Sequence, residues 1–193
     1  GGLNYQGILG TLENSLVEGN SGWEGGGIDA RYQSDFDISY TTFRNNSARD
    51  DGGDLRGGSK VLGSLFEDNS ASGEGGAVRV GDLNFEVEDC TFQNNRAVEG
   101  GAMYGGWVRL TNSTFTRNYA TGRGGAISNN YYLWMLNSSV LDNLAFSQGG
   151  GLYATGYTFD VRNTTLSGNE AWVEGGAVWR NGETALRNSI FYG

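Results

Sequence analysis

An asparagine returns every 23 to 26 residues along almost the whole chain, and a stack of short repeats is the architecture such a period permits. The series runs Asn20, Asn46, Asn69, Asn95, Asn118, Asn143 and Asn169, at intervals of 26, 23, 26, 23, 25 and 26 residues. Three residues before each asparagine stands a large apolar residue: Val17, Phe43, Phe66, Phe92, Phe115, Val140 and Leu166, with Phe191 continuing the column. Five residues earlier lies a second apolar column, Leu12, Ile38, Val61, Val87, Leu110, Met135, Val161 and Leu186. Two residues after each asparagine comes Gly22, Ala48, Ala71, Ala97, Ala120, Ala145 or Ala171. A glycine pair or triplet then leads into a third apolar column, Leu3, Ile28, Leu55, Val78, Met103, Ile127, Leu152 and Val178. Units this short cannot close a core alone and must bury their apolar faces against one another.

Inward and polar positions alternate, as in Phe85-Glu86-Val87-Glu88, which is the period of a strand. No run of ten residues carries a helical stripe. The expected fold is therefore all-β: a right-handed parallel β-helix of about seven coils of 23–26 residues, with residues 1–193 forming one solenoid domain. Coils spaced at about 4.8 Å make a rod roughly 35 Å long. The right hand follows from the rule for parallel crossovers.

Each column has an expected task. The phenylalanines form the thick side of the core. The ladder asparagines satisfy backbone groups at a turn, bond to their equivalents above and below, and take the left-handed backbone region that the turn needs. A second polar column, Asn14, Tyr40, Gly63, Asp89, Asn112, Asn137, Asn163 and Asn188, marks another corner. Glycine pairs such as Gly75-Gly76 and Gly100-Gly101 lack phosphate-loop spacing and read as positive-φ steps before a core strand. Cys90 falls in a column otherwise made of serine and threonine and reads as a small buried filler. With no histidine in the chain to activate it, a nucleophilic role has no support.

Twenty-two acidic residues against 13 basic ones give a formal charge of −9, which argues against nucleic acid as a partner. No apolar run is long enough for a membrane-spanning helix, so no membrane insertion by this segment is expected. No cofactor or metal motif occurs, and no catalytic residue is assigned. The acidic candidates are Asp35, Asp37, Asp50, Asp51, Asp54, Asp82, Glu86, Glu88 and Asp89. By periodicity every one points outward, and no paired carboxylates recur on adjacent coils in one clear column. Aromatic residues, among them Tyr32, Trp134 and Tyr157, mostly occupy connecting or outward positions. Trp107, Tyr131 and Tyr132 lie in the same inter-strand region of neighbouring coils and form the candidate contact patch, for carbohydrate stacking or for packing against another chain. Four Asn-x-Ser/Thr sequons begin at Asn45, Asn112, Asn137 and Asn163 and are candidate glycosylation sites.

Phe-x-x-Asn-x-Ala followed by Gly-Gly-Ala and an apolar residue, as in 66–78, 92–103 and 115–127, resembles the repeats of chlamydial polymorphic outer membrane proteins and related β-helical surface proteins. Val140 and Leu166 replace the aromatic, the triplets at 25–27 and 149–151 break the Gly-Gly-Ala form, and Gly52-Gly53-Asp54 departs from it. The resemblance implies an ectodomain β-helix displayed at the cell surface or outside the cell, serving adhesion or surface architecture. Neither end of the sequence shows a polar cap, so self-association or continuation by further coils is expected. The leading expectation is a non-enzymatic structural or adhesive module of a surface protein or extracellular filament, with a surface carbohydrate or protein as ligand. The alternative is a polysaccharide-binding or polysaccharide-degrading β-helix.

Overall fold

The computed structural model describes residues 2–6, 9–30, 35–81 and 84–193. Tyr32 and Asp82 lie outside the described residues. Within them the chain winds as a parallel solenoid with three sheets, of 14, 8 and 7 strands, and no helix. The expected columns are the observed rungs: Phe43, Phe66, Phe92 and Phe115 pair in register, as do Val61, Val87 and Leu110.

The largest sheet has two arms. One carries Ile28–Ala30, Leu55–Gly57, Val78–Arg79 and Leu152–Ala154; the other carries Asp35–Ser39, Lys60–Leu62, Asn84–Glu88 and Thr158–Arg162. In two neighbouring coils the strand does not break between the arms, so Met103–Thr111 and Ile127–Leu136 run through both. The eight-stranded sheet holds the phenylalanine column, whose rings stack at 4.6–4.7 Å within 5° of parallel. Such offset ring stacking follows from the coil spacing itself. The seven-stranded sheet holds the alanines. Val17 is half-buried and Phe191 is 45 % exposed. Phe191 pairs in register with Leu166 and so continues the column into the last described coil.

The asparagine ladder is directional. Each side-chain Oδ1 accepts the backbone N–H of the asparagine one coil earlier, at 2.8–3.1 Å from Asn20→Asn46 through Asn143→Asn169. From Asn46 to Asn169 each Nδ2 also donates to the carbonyl of the apolar residue in the previous coil, as Asn95 does to Phe66 O at 3.0 Å. The left-handed conformation is not on these asparagines, as expected above, but on the residue before each of them: Gly19, Asn45, Asp68, Asn94, Arg117, Asp142 and Gly168. The physical reason is that the ladder residue must aim its side chain inward, and the tight reversal is made one step earlier. The second corner column is as expected: all eight members have positive φ.

In the glycine pairs the two residues have different duties. Gly100 supplies a φ of 63°, whereas a Cβ on Gly101 would collide with the carbonyl oxygen of Gly125 in the next coil.

Candidate functional site

The outer face of the second arm brings the aromatic patch together. Because side chains alternate across a strand, the core residues Val108, Leu110, Leu133 and Met135 leave Trp107, Arg109, Tyr132 and Trp134 facing out. Register aligns Asn84, Trp107, Tyr132 and Thr158 in one outward row, and Glu86, Arg109, Trp134 and Asp160 in the next. Trp107 and Tyr132 ring centroids lie 3.9 Å apart, and Tyr132 and Trp134 are stacked at 5.4 Å with their planes within 8° of parallel. Tyr157 extends the cluster, 5.8 Å from Tyr132 and 6.0 Å from Tyr131. All three expected patch residues are therefore here, joined by Trp134 and Tyr157.

A buried asparagine outside the ladder shapes this face. Between Gly105↔Asn129 and Trp107↔Tyr132 the register slips by one residue, leaving an extra residue on the later strand. Asn129 fixes that bulge: its Nδ2 donates to Gly105 O and Gly106 O, each at 2.8 Å, and its Oδ1 accepts the Tyr131 N–H at 3.2 Å. The sequence signal was Gly105-Gly106 followed one period later by Asn129-Asn130, off the ladder positions.

Two shallow depressions flank the Arg109–Trp134 pair. One, of about 320 Å³, is walled by Asn84, Glu86 and Trp107. The other, of about 290 Å³, is walled by Thr111, Leu136, Asp160 and Arg162. The Arg162 guanidinium donates to Asp160 at 2.8 Å and holds that carboxyl below the usual carboxylate range. Arg109 makes no ion pair among the described residues. Stacking planes beside hydrogen-bonding groups suit a sugar ring, whose C–H face is apolar and whose rim is polar.

The acidic residues differ from expectation in two ways. First, a carboxylate column does recur: Glu24, Asp51, Glu74 and Glu99 each precede a glycine pair and stack on consecutive coils through backbone bonds such as Gly75 N–H to Glu99 O. Arg123 and Gln148 then interrupt it, which hid the pattern. Arg79 stands 3.4 Å from Glu74 and 3.6 Å from Asp51. Burial raises the Glu74 and Glu99 carboxyls above the usual range, and burial beside Glu74 pushes the Tyr104 hydroxyl up to about 12. No group of three or more His, Cys, Asp or Glu among the described residues is arranged to hold a metal ion.

Second, Asp54 is fully buried rather than outward. It occupies the column of Ala77, Ala102 and Ala126, and its neighbour there is Gly27, where a Cβ would strike Asp54 Oδ1. Asn46 donates to Oδ1 at 3.2 Å, and Oδ2 has no partner. Burial raises this carboxyl well above its ordinary value.

Cys90 is a working rung rather than a filler. The column's side-chain oxygens accept N–H bonds from the previous coil, and Cys90 Sγ does the same for Ser64 at 3.5 Å. Burial pushes its thiol up to about 11, away from nucleophilic reactivity. The sequon asparagines Asn45, Asn112, Asn137 and Asn163 are all exposed at positive φ, and Asn163 donates to Asn137 at 3.1 Å.

No curated protein and no solved structure matches the chain. The family model described as right-handed beta helix region matches residues 26–191, and the stacked columns and parallel sheets agree with it: this chain belongs to the right-handed β-helix family.

Proposed function

We propose that this chain is a non-catalytic adhesive module of a cell-surface or extracellular protein, and that it holds glycans on the outer face of the Met103–Thr111 and Ile127–Leu136 strands. The carrying observation is the contiguous platform of Trp107, Tyr132 and Trp134, with two depressions and polar side chains at its rim. The rest of the molecule is devoted to rungs that build a stiff rod, which suits a display scaffold. The likeness of its repeats to polymorphic outer membrane proteins supports an exterior location. Screening the intact chain against a glycan array tests the reading. Binding to extended oligosaccharides is expected, weakened on the order of ten-fold or more by Trp134→Ala. A chain that binds no glycan, or binds equally well without Trp107 and Trp134, would refute it.

A second reading, polysaccharide cleavage, draws on Glu74 and Glu99, whose raised carboxyls beside Tyr104 have the character of general acids. Release of reducing ends from a bound polysaccharide, abolished by Glu74→Gln, would favour it over adhesion.

A further inference from the structure

We infer that the ligand of the aromatic face is a glycan in which a neutral sugar is followed by an anionic one, rather than a neutral chain or one charged at every residue. This rests on the glycan-binding reading above and adds the ligand's charge pattern.

The two depressions share Trp134 and Arg109 but differ in their remaining walls. The first offers Asn84 and the Glu86 carboxylate beside Trp107. Glu88 follows Glu86 on the same outward face, its charge met by Lys60 at 3.3 Å. An anionic sugar stacked on Trp107 would bring its charge against Glu86, whereas a neutral one can donate hydroxyls to that carboxylate and to the Asn84 carbonyl. The second depression has the opposite character. Arg162 borders it, Arg187 pairs in register with Arg162, and Arg109 reaches it without an ion pair of its own. The single carboxylate there, Asp160, is already engaged by Arg162. Guanidinium groups in excess over carboxylates form a receptor for a carboxylate or sulfate ester. In a chain of net charge −9 this is a local reversal of sign, placed beside the stacking platform.

The adjoining depressions therefore read two successive sugars, the first by stacking and neutral hydrogen bonds, the second by charge. A planar carboxylate and a tetrahedral sulfate ester both present anionic oxygens that Arg109 can bind, and oligosaccharides bearing one or the other separate the two sources.

The test is calorimetric titration of the intact chain with three hexasaccharide probes. One alternates N-acetylhexosamine with uronate, one contains uronate only, and one is a neutral β-linked glucan; a sulfated version of the alternating probe is the fourth arm. The alternating probes should bind on the order of ten-fold tighter than the others, with an advantage that shrinks in high salt. Arg109→Ala should weaken the alternating probes on the order of ten-fold, a larger loss than it causes for the glucan, and Glu86→Gln should improve uronate-only binding. Circular dichroism and melting of both variants should match the parent, since both side chains are at the surface. Equal affinity for alternating and neutral probes, or tightest binding of the uronate-only chain, would overturn the inference and leave glycan binding intact. Absence of binding to every probe would instead overturn the underlying reading as well.

Discussion

Replacing Asp54 tests how the core handles a buried carboxyl with an unpartnered oxygen. Its carboxyl lies in a column of alanines, with Oδ2 unpartnered and Oδ1 sharing the Nδ2 of Asn46 with the ladder. An orphaned buried polar atom costs about 1–3 kcal/mol, more if it is charged. The folded-state pKa is raised above the unfolded one, so the favourable contribution of the neutral form is complete below the unfolded pKa, near 4. It is lost as pH rises toward and through the folded pKa. Over that window a one-proton difference changes stability by about 1.4 kcal/mol per pH unit. Urea unfolding of the parent and Asp54→Ala at successive pH values should show the variant gaining as pH rises above the unfolded pKa, then levelling off once the folded pKa is passed. Using the difference between the two proteins cancels the titrations of Glu74 and Glu99. Gly27 adds a second arm. A methyl there collides with Asp54 Oδ1 in the parent; once Asp54 is Ala its nearest neighbours are Val17 Cγ1 at 3.0 Å and the backbone oxygen of residue 54 at 3.2 Å, a tight fit without the collision. Gly27→Ala should therefore destabilise the parent more than it destabilises the Asp54→Ala background, a coupling of about 1–3 kcal/mol. A stability difference that is flat with pH, together with additive effects of the two substitutions, would refute the assignment of Asp54 as a buried neutral acid.

Phe92 is wholly buried between the rings of Phe66 and Phe115, so Phe92→Ala should cost about 3–5 kcal/mol in chemical denaturation. Cys90→Ser exchanges a weak sulfur rung for the hydroxyl used by Ser64 and Ser113, and should change stability by no more than about 1 kcal/mol. In the parent, the Cys90 thiol should resist a thiol reagent at neutral pH until denaturant is added, because it is both buried and poorly ionised. Asn129→Ala removes the donor to the Gly105 and Gly106 carbonyls and should cost about 1–3 kcal/mol, with altered tryptophan fluorescence and weakened glycan binding.

The coil and its core were legible because every repeat states them again. Phe43, Phe66, Phe92 and Phe115 recur at one offset from an asparagine, and a pattern repeated on every coil outweighs any single exception. What was not legible depends on hydrogen bonds. Asparagine favours both a left-handed turn and an amide ladder, so composition alone could not separate the two duties. Arg117, at a φ of 52°, shows that the turn position is imposed by the stack rather than chosen by residue type. Trp107 and Tyr132 were visible as neighbours because they share a register position. Trp134 was not, because Glu86, Arg109 and Asp160 fill the rest of its row and make it look like a charged face. Gly27 and Asp54 read as two separate departures from Gly-Gly-Ala; only stacking shows that the absent methyl of one makes room for the carboxyl of the other.

The asparagine ladder also gives the rod an electrical direction. Its side-chain carbonyls all point toward the preceding coil, so the column is a line of aligned amide dipoles, additive in the way peptide dipoles are along a helix. A coil approaching from one side must present donors to that column, and from the other side acceptors. Two such rods can therefore continue one another only nose to tail, because a reversed joint would set carbonyl against carbonyl at its centre.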